Sequence, residues 1–170
     1  MTIEQLNALT QAQAEDWFSA TNTAKHWCRL MTNARPFKSL KQLKRKAIDE
    51  WAKMDVDDLL EAFAGHPMIG DIDSLRAKYE HTKALASDEQ SGMQQASEET
   101  YESLRDLNQA YLNRHGFIFI VCATGLTAQQ MLTKLQNRID NSTQQERQTA
   151  AQEQLKITLL RFDKALRESQ

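Results

Sequence analysis

Helix breakers are scarce in this chain: there are two prolines and five glycines among 170 residues. Few breakers leave room for long helices. Cysteine is as scarce, with only Cys28 and Cys122. Two are too few for a disulfide framework, and both read as reduced, small apolar residues. No run of about 18 apolar residues occurs, which excludes a membrane-spanning helix. An excess of positive charge is also missing. The net charge is -2, which counts against nucleic acid as a partner. The one basic cluster is Lys38, Lys41, Lys44, Arg45 and Lys46. It sits beside Asp49 and Glu50 at helical spacing and reads as a solvated helix face. Met1 to Glu15 is polar and carries acids, unlike a secretory signal or a transit peptide. The expectation is a cytoplasmic protein with no nucleic-acid or membrane partner.

What is present is a globular composition, 41% apolar and 26% charged, close to the average for folded domains. A chain of this length fits one domain with its own core. Residues 1–170 are therefore expected to form a single-domain, compact all-α bundle. Leu40, Leu43, Ala47 and Trp51 follow the spacing of one buried helical face. A helix from about Val56 to Ala64 should stop at Gly65, with the glycine taking a left-handed cap and Pro67 keeping His66 out of the helical region. Ser87 and Gln90 form a capping-box pattern. It opens a long helix in which Met93, Ala96, Thr100, Leu104, Leu107 and Tyr111 recur as far as Arg114, before Gly116 ends it. Phe117 to Ala123 has strand composition, but no partner strand is evident and an isolated strand is unstable. A buried helical or extended core segment, broken by Gly125, is the expectation. Thr127 and Gln130 cap a further helix. The last helix runs from about Thr143 to Leu166, with Ala151, Leu155, Leu159, Phe162 and Leu166 on one face.

Four places could carry chemistry. His66, locked before Pro67, has a fixed backbone direction, and histidine is the usual proton carrier near neutral pH. Its plainer reading is a helix cap that meets the last carbonyls. Glu89 and Gln90 lie in a first helical turn, where an acid complements the helix dipole and Gln90 completes the box. Alternatively, Glu89 orients a catalytic histidine and Gln90 binds a polar ring. Ala123-Thr124-Gly125-Leu126-Thr127 is either a well-made helix start or an approach for an anion to backbone N–H groups. Arg161 borders the last helix's apolar stripe. It either covers the core's edge with its stem or clamps a carboxylate with its planar fork. Metal sites look poor, since no HExxH spacing joins His26, His66, His81 and His115, and no EF-hand pattern follows Asp71 and Asp73. Phosphate-loop, nucleophile-elbow and dinucleotide fingerprints are missing too. What remains is a cofactor-free acid–base site or no active site.

Several motifs stand in a consistent order. They are Arg35-Pro36-Phe37, then His66-Pro67-Met68-Ile69-Gly70-Asp71, then Glu89-Gln90-Ser91-Gly92, then Leu107-Asn108 with Tyr111. After these come Arg114-His115-Gly116-Phe117-Ile118-Phe119-Ile120, Cys122-Ala123-Thr124-Gly125, and Glu153-Gln154-Leu155-Lys156-Ile157-Thr158 through Arg161. Across nearly the whole chain this order resembles the OHCU decarboxylase family, OHCU being 2-oxo-4-hydroxy-4-carboxy-5-ureidoimidazoline. The resemblance implies an all-α homodimer that decarboxylates OHCU to (S)-allantoin with neither metal nor organic cofactor. It places the catalytic histidine on His66 and the active-site acid on Glu89, with Gln90 as a substrate amide. Backbone contacts to substrate fall near Pro67 and on Val121, Cys122, Ala123, Thr124 and Gly125. The family commonly has a serine three residues before the acid. This chain has Ala86 there, and Ser87 is the neighbouring hydroxyl. Two other readings stay open: a helical interaction module without chemistry, and a metal-assisted amide hydrolase using Asp71, Asp73 and His81.

Overall fold

Short polar side chains decide where most helices begin. In the computed structural model, which describes residues 1–68 and 97–166, the described residues form eight helices and no strand. The helices are α1 (Ile3–Ala8), α2 (Gln11–Ser19), α3 (Lys25–Asn33), α4 (Leu40–Trp51), α5 (Val56–Ala64), α6 (Glu98–His115), α7 (Ala128–Ile139) and α8 (Thr143–Ala165). Thr2, Thr10, Ser39, Asp55, Ser97 and Thr127 each accept the backbone N–H three residues on, which satisfies a donor the helix cannot. The expected Thr127–Gln130 box is reciprocal, each side chain bonding the other's backbone.

The long central helix differs from expectation at its start. It begins at Glu98 behind Ser97, whose backbone is extended. Ser87 therefore does not open it, and Ser87, Glu89 and Gln90 lie outside the described residues. At its other end Gly116 is left-handed, with φ 78°, and its N–H closes on the Leu112 carbonyl. Only glycine takes that conformation without strain.

Gly65 ends α5 as expected, but not by the expected route. Its φ is -71°, so no left-handed cap forms. Space is the reason instead. A Cβ on Gly65 would stand 2.1 Å from Thr23 Oγ1 and 2.8 Å from Thr23 Cβ. Thr23 cannot easily retreat, because its hydroxyl bonds the α5 carbonyls of Glu61 and Ala62 at 3.1 and 3.3 Å. Gly65→Ala is therefore expected to destabilise the protein by about 1–3 kcal/mol, as overpacking does. Urea denaturation checks this, and adding Thr23→Ala should cost less than the sum of the two single changes.

Backbone contacts group the chain into two units, 1–66 with 149–170, and 67–148. In the first unit an aromatic cluster fills the core. Phe162 stacks on Trp17 (ring centroids 5.6 Å apart) and on Trp27 (6.3 Å), while Phe18 meets it edge-on. Both buried indoles find acceptors, Trp27 at the Ala47 carbonyl and Trp51 at that of Ala151, as buried ring N–H groups require. Arg35 ties the end of α1 down, donating to the carbonyls of Leu6, Leu9 and Thr32. The Arg35-Pro36-Phe37 motif thus has a structural role here, with Phe37 buried beside Phe18. Burial pushes the Cys28 thiol up to about 12, with Glu15 and Glu61 adding to it. Cys28 should therefore resist a thiol-labelling reagent at mildly alkaline pH until the protein unfolds.

In the second unit α6 packs on α7. Phe117–Ala123 is neither helix nor strand, with Phe117 and Ile120 buried. The helical option of the expectation is not the observed one. His115 is buried and partnered, its Nε2 3.1 Å from the Ile139 carbonyl and its Nδ1 3.1 Å from Thr143 Oγ1. The carbonyl only accepts, so Nε2 carries a hydrogen.

Helix α8 departs from its apolar pattern. Its most buried positions are Glu146, Ala150, Gln154, Thr158 and Phe162. Ala151, Leu155 and Leu159 are only half-buried. Phe162 and Leu166 are buried as expected, but ahead of them the inward stripe runs one residue earlier than expected, and three of the five most buried positions are polar. Burial of polar groups is tolerable only with hydrogen bonds, and each of the three has them.

Candidate active site

His66 follows directly from the way α5 ends. Its N–H bonds the Phe63 carbonyl at 3.1 Å, continuing the tight turn that Gly65 allows. Pro67 then prevents further helix. The ring is half-buried, and its Nε2 lies 2.5 Å from Gln154 Oε1 on α8. Gln154 is 1% exposed and belongs to a line of buried polar groups. Its Nε2 donates to Thr158 Oγ1 at 3.4 Å, and Asn22 Nδ2 donates to the same hydroxyl at 3.4 Å. The Ala24 N–H in turn donates to Asn22 Oδ1 at 3.1 Å. His66 is thus held through its ring, which a simple helix-capping role does not require.

Arg161 sits half-buried on α8, and its Nη1 donates to the Thr21 carbonyl at 2.9 Å. Burial holds its guanidinium below the ordinary arginine value. A single carbonyl engages one of five donors, so both its covering and its clamping roles are compatible with this geometry.

Val121 to Gly125 is placed by α7. Arg138 Nη1 donates to the Ile120 carbonyl at 2.9 Å, and its guanidinium lies 4.5 Å from the centre of the Phe119 ring. Arg138 is itself held by buried Glu146, through Nε at 2.9 Å. Its Nη2 lies 2.8 Å from the same oxygen without a directed hydrogen bond. Tyr111 and Asn141 also donate to Glu146, at 2.5 and 2.8 Å. Beyond Ile120 the chain turns, the Leu126 N–H closing on the Ala123 carbonyl with Gly125 left-handed at φ 77°. Among the described residues the N–H groups of Thr124 and Gly125 make no hydrogen bond. A Cβ on Gly125 would meet nothing within 4 Å. Its conformation, not crowding, calls for glycine.

His66 and Arg161 therefore belong to the first unit, and Val121 to Gly125 to the second. Glu89, Gln90 and Ser87, with the alternative metal ligands Asp71, Asp73 and His81, lie outside the described residues. Two positions that bear on the site were not singled out in the sequence. Gln154 was hidden by the polarity of the buried α8 stripe. Arg138 was one basic residue among many, though its place in the last turn of α7 is a weak signal.

Residues 7–163 match the family model for OHCU decarboxylase. The chain belongs to the OHCU decarboxylase family. Among family relatives it is 32% identical over 151 residues to the uric acid degradation bifunctional protein TTL of Arabidopsis thaliana. That match covers 88% of this chain, which spans only 46% of the longer plant protein. It is 26% identical to the 2-oxo-4-hydroxy-4-carboxy-5-ureidoimidazoline decarboxylase of Haloferax volcanii, over 95% of this chain and 94% of that protein. A crystal structure of OHCU decarboxylase in the presence of (S)-allantoin superposes with a TM-score of 0.72 at 30% identity, covering 89% and 96% of the two chains. Its helical fold is the fold described above. Among the described residues no helix is long and apolar enough to cross a membrane.

Proposed function

We propose that this chain decarboxylates OHCU to (S)-allantoin, with His66 as the acid–base group. The observation that carries the reading is family membership over residues 7–163, joined to a His66 ring anchored by a buried amide. Breaking the C–CO2 bond leaves its electron pair on the ring carbon. The ring carbonyl at position 2 is separated from that carbon by N3, so the pair is taken up by the adjacent C5=N bond of the imidazoline, leaving an enol whose 4-hydroxyl becomes the product carbonyl as C5 takes a proton; the chemistry needs no metal or pyridoxal sink. Three tasks remain for the protein: to orient the carboxylate, to stabilise the oxyanion and to deliver a proton to one face. Backbone N–H groups along Val121 to Gly125 would meet the oxyanion. His66 would deliver the proton or first engage the 4-hydroxyl. Glu89 would hold the imidazole or that hydroxyl, with Gln90 and Ser87 reading the ureido or ring amides beside Pro67. Arg161 would clamp the carboxylate. One-sided protonation accounts for a chiral product. In this reading residues 1–170 act as one domain in a cytoplasmic homodimer, without cofactor or metal.

The test is circular dichroism of a fresh urate-oxidation mixture, with this protein and a metal chelator added. OHCU decays unaided to racemic allantoin, so a chiral product reports enzyme action. A fast, lasting (S)-allantoin signal is expected. A signal that only decays slowly, as it does without protein, would put the helical interaction module in front. Activity that the chelator abolishes would favour the metal-assisted hydrolase.

A further inference from the structure

We propose that Arg138 is a positioning residue for the reaction: it holds the Ile120 carbonyl and the Phe119 ring, and so sets the backbone of Val121 to Gly125 before substrate arrives. This inference rests on the oxyanion role given above to that backbone. The direction of the Arg138 fork carries it. An arginine that only neutralised a buried carboxylate would meet it fork to fork, with Nε and Nη2 on separate oxygens. Arg138 forgoes that geometry. Its Nε and Nη2 lie 2.9 and 2.8 Å from the same oxygen of Glu146, Oε2, and Nη2 makes no directed hydrogen bond there. The other oxygen, Oε1, accepts from Asn141. Turned this way, the fork has Nη1 donating to the Ile120 carbonyl at 2.9 Å, and the guanidinium lies 4.5 Å from the centre of the Phe119 ring. A cation at that distance is attracted by the ring.

Tyr111 supports the same arrangement from α6. Its hydroxyl donates to Glu146 Oε2, and its ring meets Phe117 and Phe119 edge-on, with centroids 5.8 and 5.2 Å away. One side chain thus steadies both the carboxylate that aims Arg138 and the segment that Arg138 holds. The segment has a second fixed point beyond Ile120. The Leu126 N–H closes on the Ala123 carbonyl, and Thr127 caps α7 through its reciprocal box with Gln130. Arg138 stands in the last turn of that helix, so both ends of the stretch from Ile120 to Thr127 are tied to α7. Between them the N–H groups of Thr124 and Gly125 make no hydrogen bond among the described residues. Donors fixed ahead of the reaction need no reorganisation when charge develops. Without Arg138 the stretch keeps only its tie at Thr127.

The experiment compares Arg138→Lys with wild type in turnover, urea midpoint and backbone amide NMR of the whole protein. A lysine keeps the charge that Glu146 needs, but one ammonium cannot stand in both the Nε and the Nη1 places of the fork. The variant is expected to keep most of the wild-type midpoint. Its kcat for (S)-allantoin formation should fall about 10–100-fold with KM little changed, since displaced donors cost less than the roughly 10²–10³-fold of a deleted oxyanion donor. The amide signals of Val121, whose nitrogen shares a peptide group with the Ile120 carbonyl, and of Thr124 and Gly125 should move. Arg138→Met with Glu146→Gln covers the case of a lysine variant that folds poorly. It strands no charge, leaves Tyr111 an acceptor, and should show the same loss of kcat and the same moved signals. Full kcat per folded molecule, a loss confined to KM, or unmoved Thr124 and Gly125 signals would overturn the inference. The two readings fail separately. A wild type that forms no chiral allantoin removes the proposed reaction. An active wild type beside a lysine variant of full turnover removes only Arg138.

Discussion

His66→Ala is expected to lose roughly 10²–10⁴-fold of turnover, the usual worth of a positioned acid–base group, while keeping its helical circular dichroism. The variant should fold because the histidine contributes little to the core. Its ring is half-buried at the end of α5, outside the aromatic cluster around Phe162. Truncation does strip Gln154 Oε1 of its partner. An unsatisfied buried acceptor costs about 1–3 kcal/mol, which a domain of ordinary stability, about 5–15 kcal/mol, survives. Activity and stability therefore separate in this variant. The measurement is the rate of (S)-allantoin formation from freshly generated OHCU, normalised to folded protein. Near-full turnover would take His66 out of the mechanism and leave the backbone groups of Val121 to Gly125 to act alone.

The boundaries of α5, α7 and α8 were legible in the sequence because their signals are local. Asp55 and Thr127 are cap residues, and few breakers interrupt the helices they start. Gly116 was legible for the same reason, since a lone glycine after a helical run most often takes the left-handed cap. Gly65 shows the limit of local reasoning. The same residue type in the same position relative to its helix serves a different purpose, because Thr23 lies against it from 42 residues away in sequence. Nothing near Gly65 in the chain announces that contact. The inward stripe of the last helix was legible at Phe162 and Leu166 but not ahead of them, for a related reason. Periodicity counts apolar residues, yet Glu146, Gln154 and Thr158 are buried through partners on other segments. His66 stood out in the sequence by its proline and its chemistry, but Gln154 becomes visible only where α5 and α8 meet.

Glu146→Ala is expected to cost about 3–5 kcal/mol, the scale of leaving one half of a buried ion pair unpaired. Glu146 is fully buried and accepts from Arg138, Tyr111 and Asn141 together. Burial alone would push its carboxyl up. The hydrogen bonds from Arg138, Tyr111 and Asn141, with the Arg138 charge, outweigh burial and hold it below its ordinary 4.5. Burial and then Glu146 hold the Tyr111 phenol well above its ordinary 10, so it stays a donor. A carboxyl whose folded value is depressed contributes stability that is fully present above 4.5. That contribution fades as pH falls through the ordinary carboxylate range and then through the lower folded value. The stability gap between wild type and Glu146→Ala should thus be widest at neutral pH and narrow toward a pH of about 3. Urea midpoints at the two pH values measure it, and a gap that stays constant would mean the carboxylate's charge is not what matters. Replacing both partners by apolar residues, Glu146→Met with Arg138→Met, should cost less than Glu146→Ala alone, because no charge is stranded. The double variant should nonetheless be a poor enzyme. Arg138 also holds the Ile120 carbonyl, and without it the Val121 to Gly125 backbone, to which the proposed function gives the oxyanion, loses that anchor. Restored stability with lost turnover would separate the structural work of the ion pair from its placement of that segment.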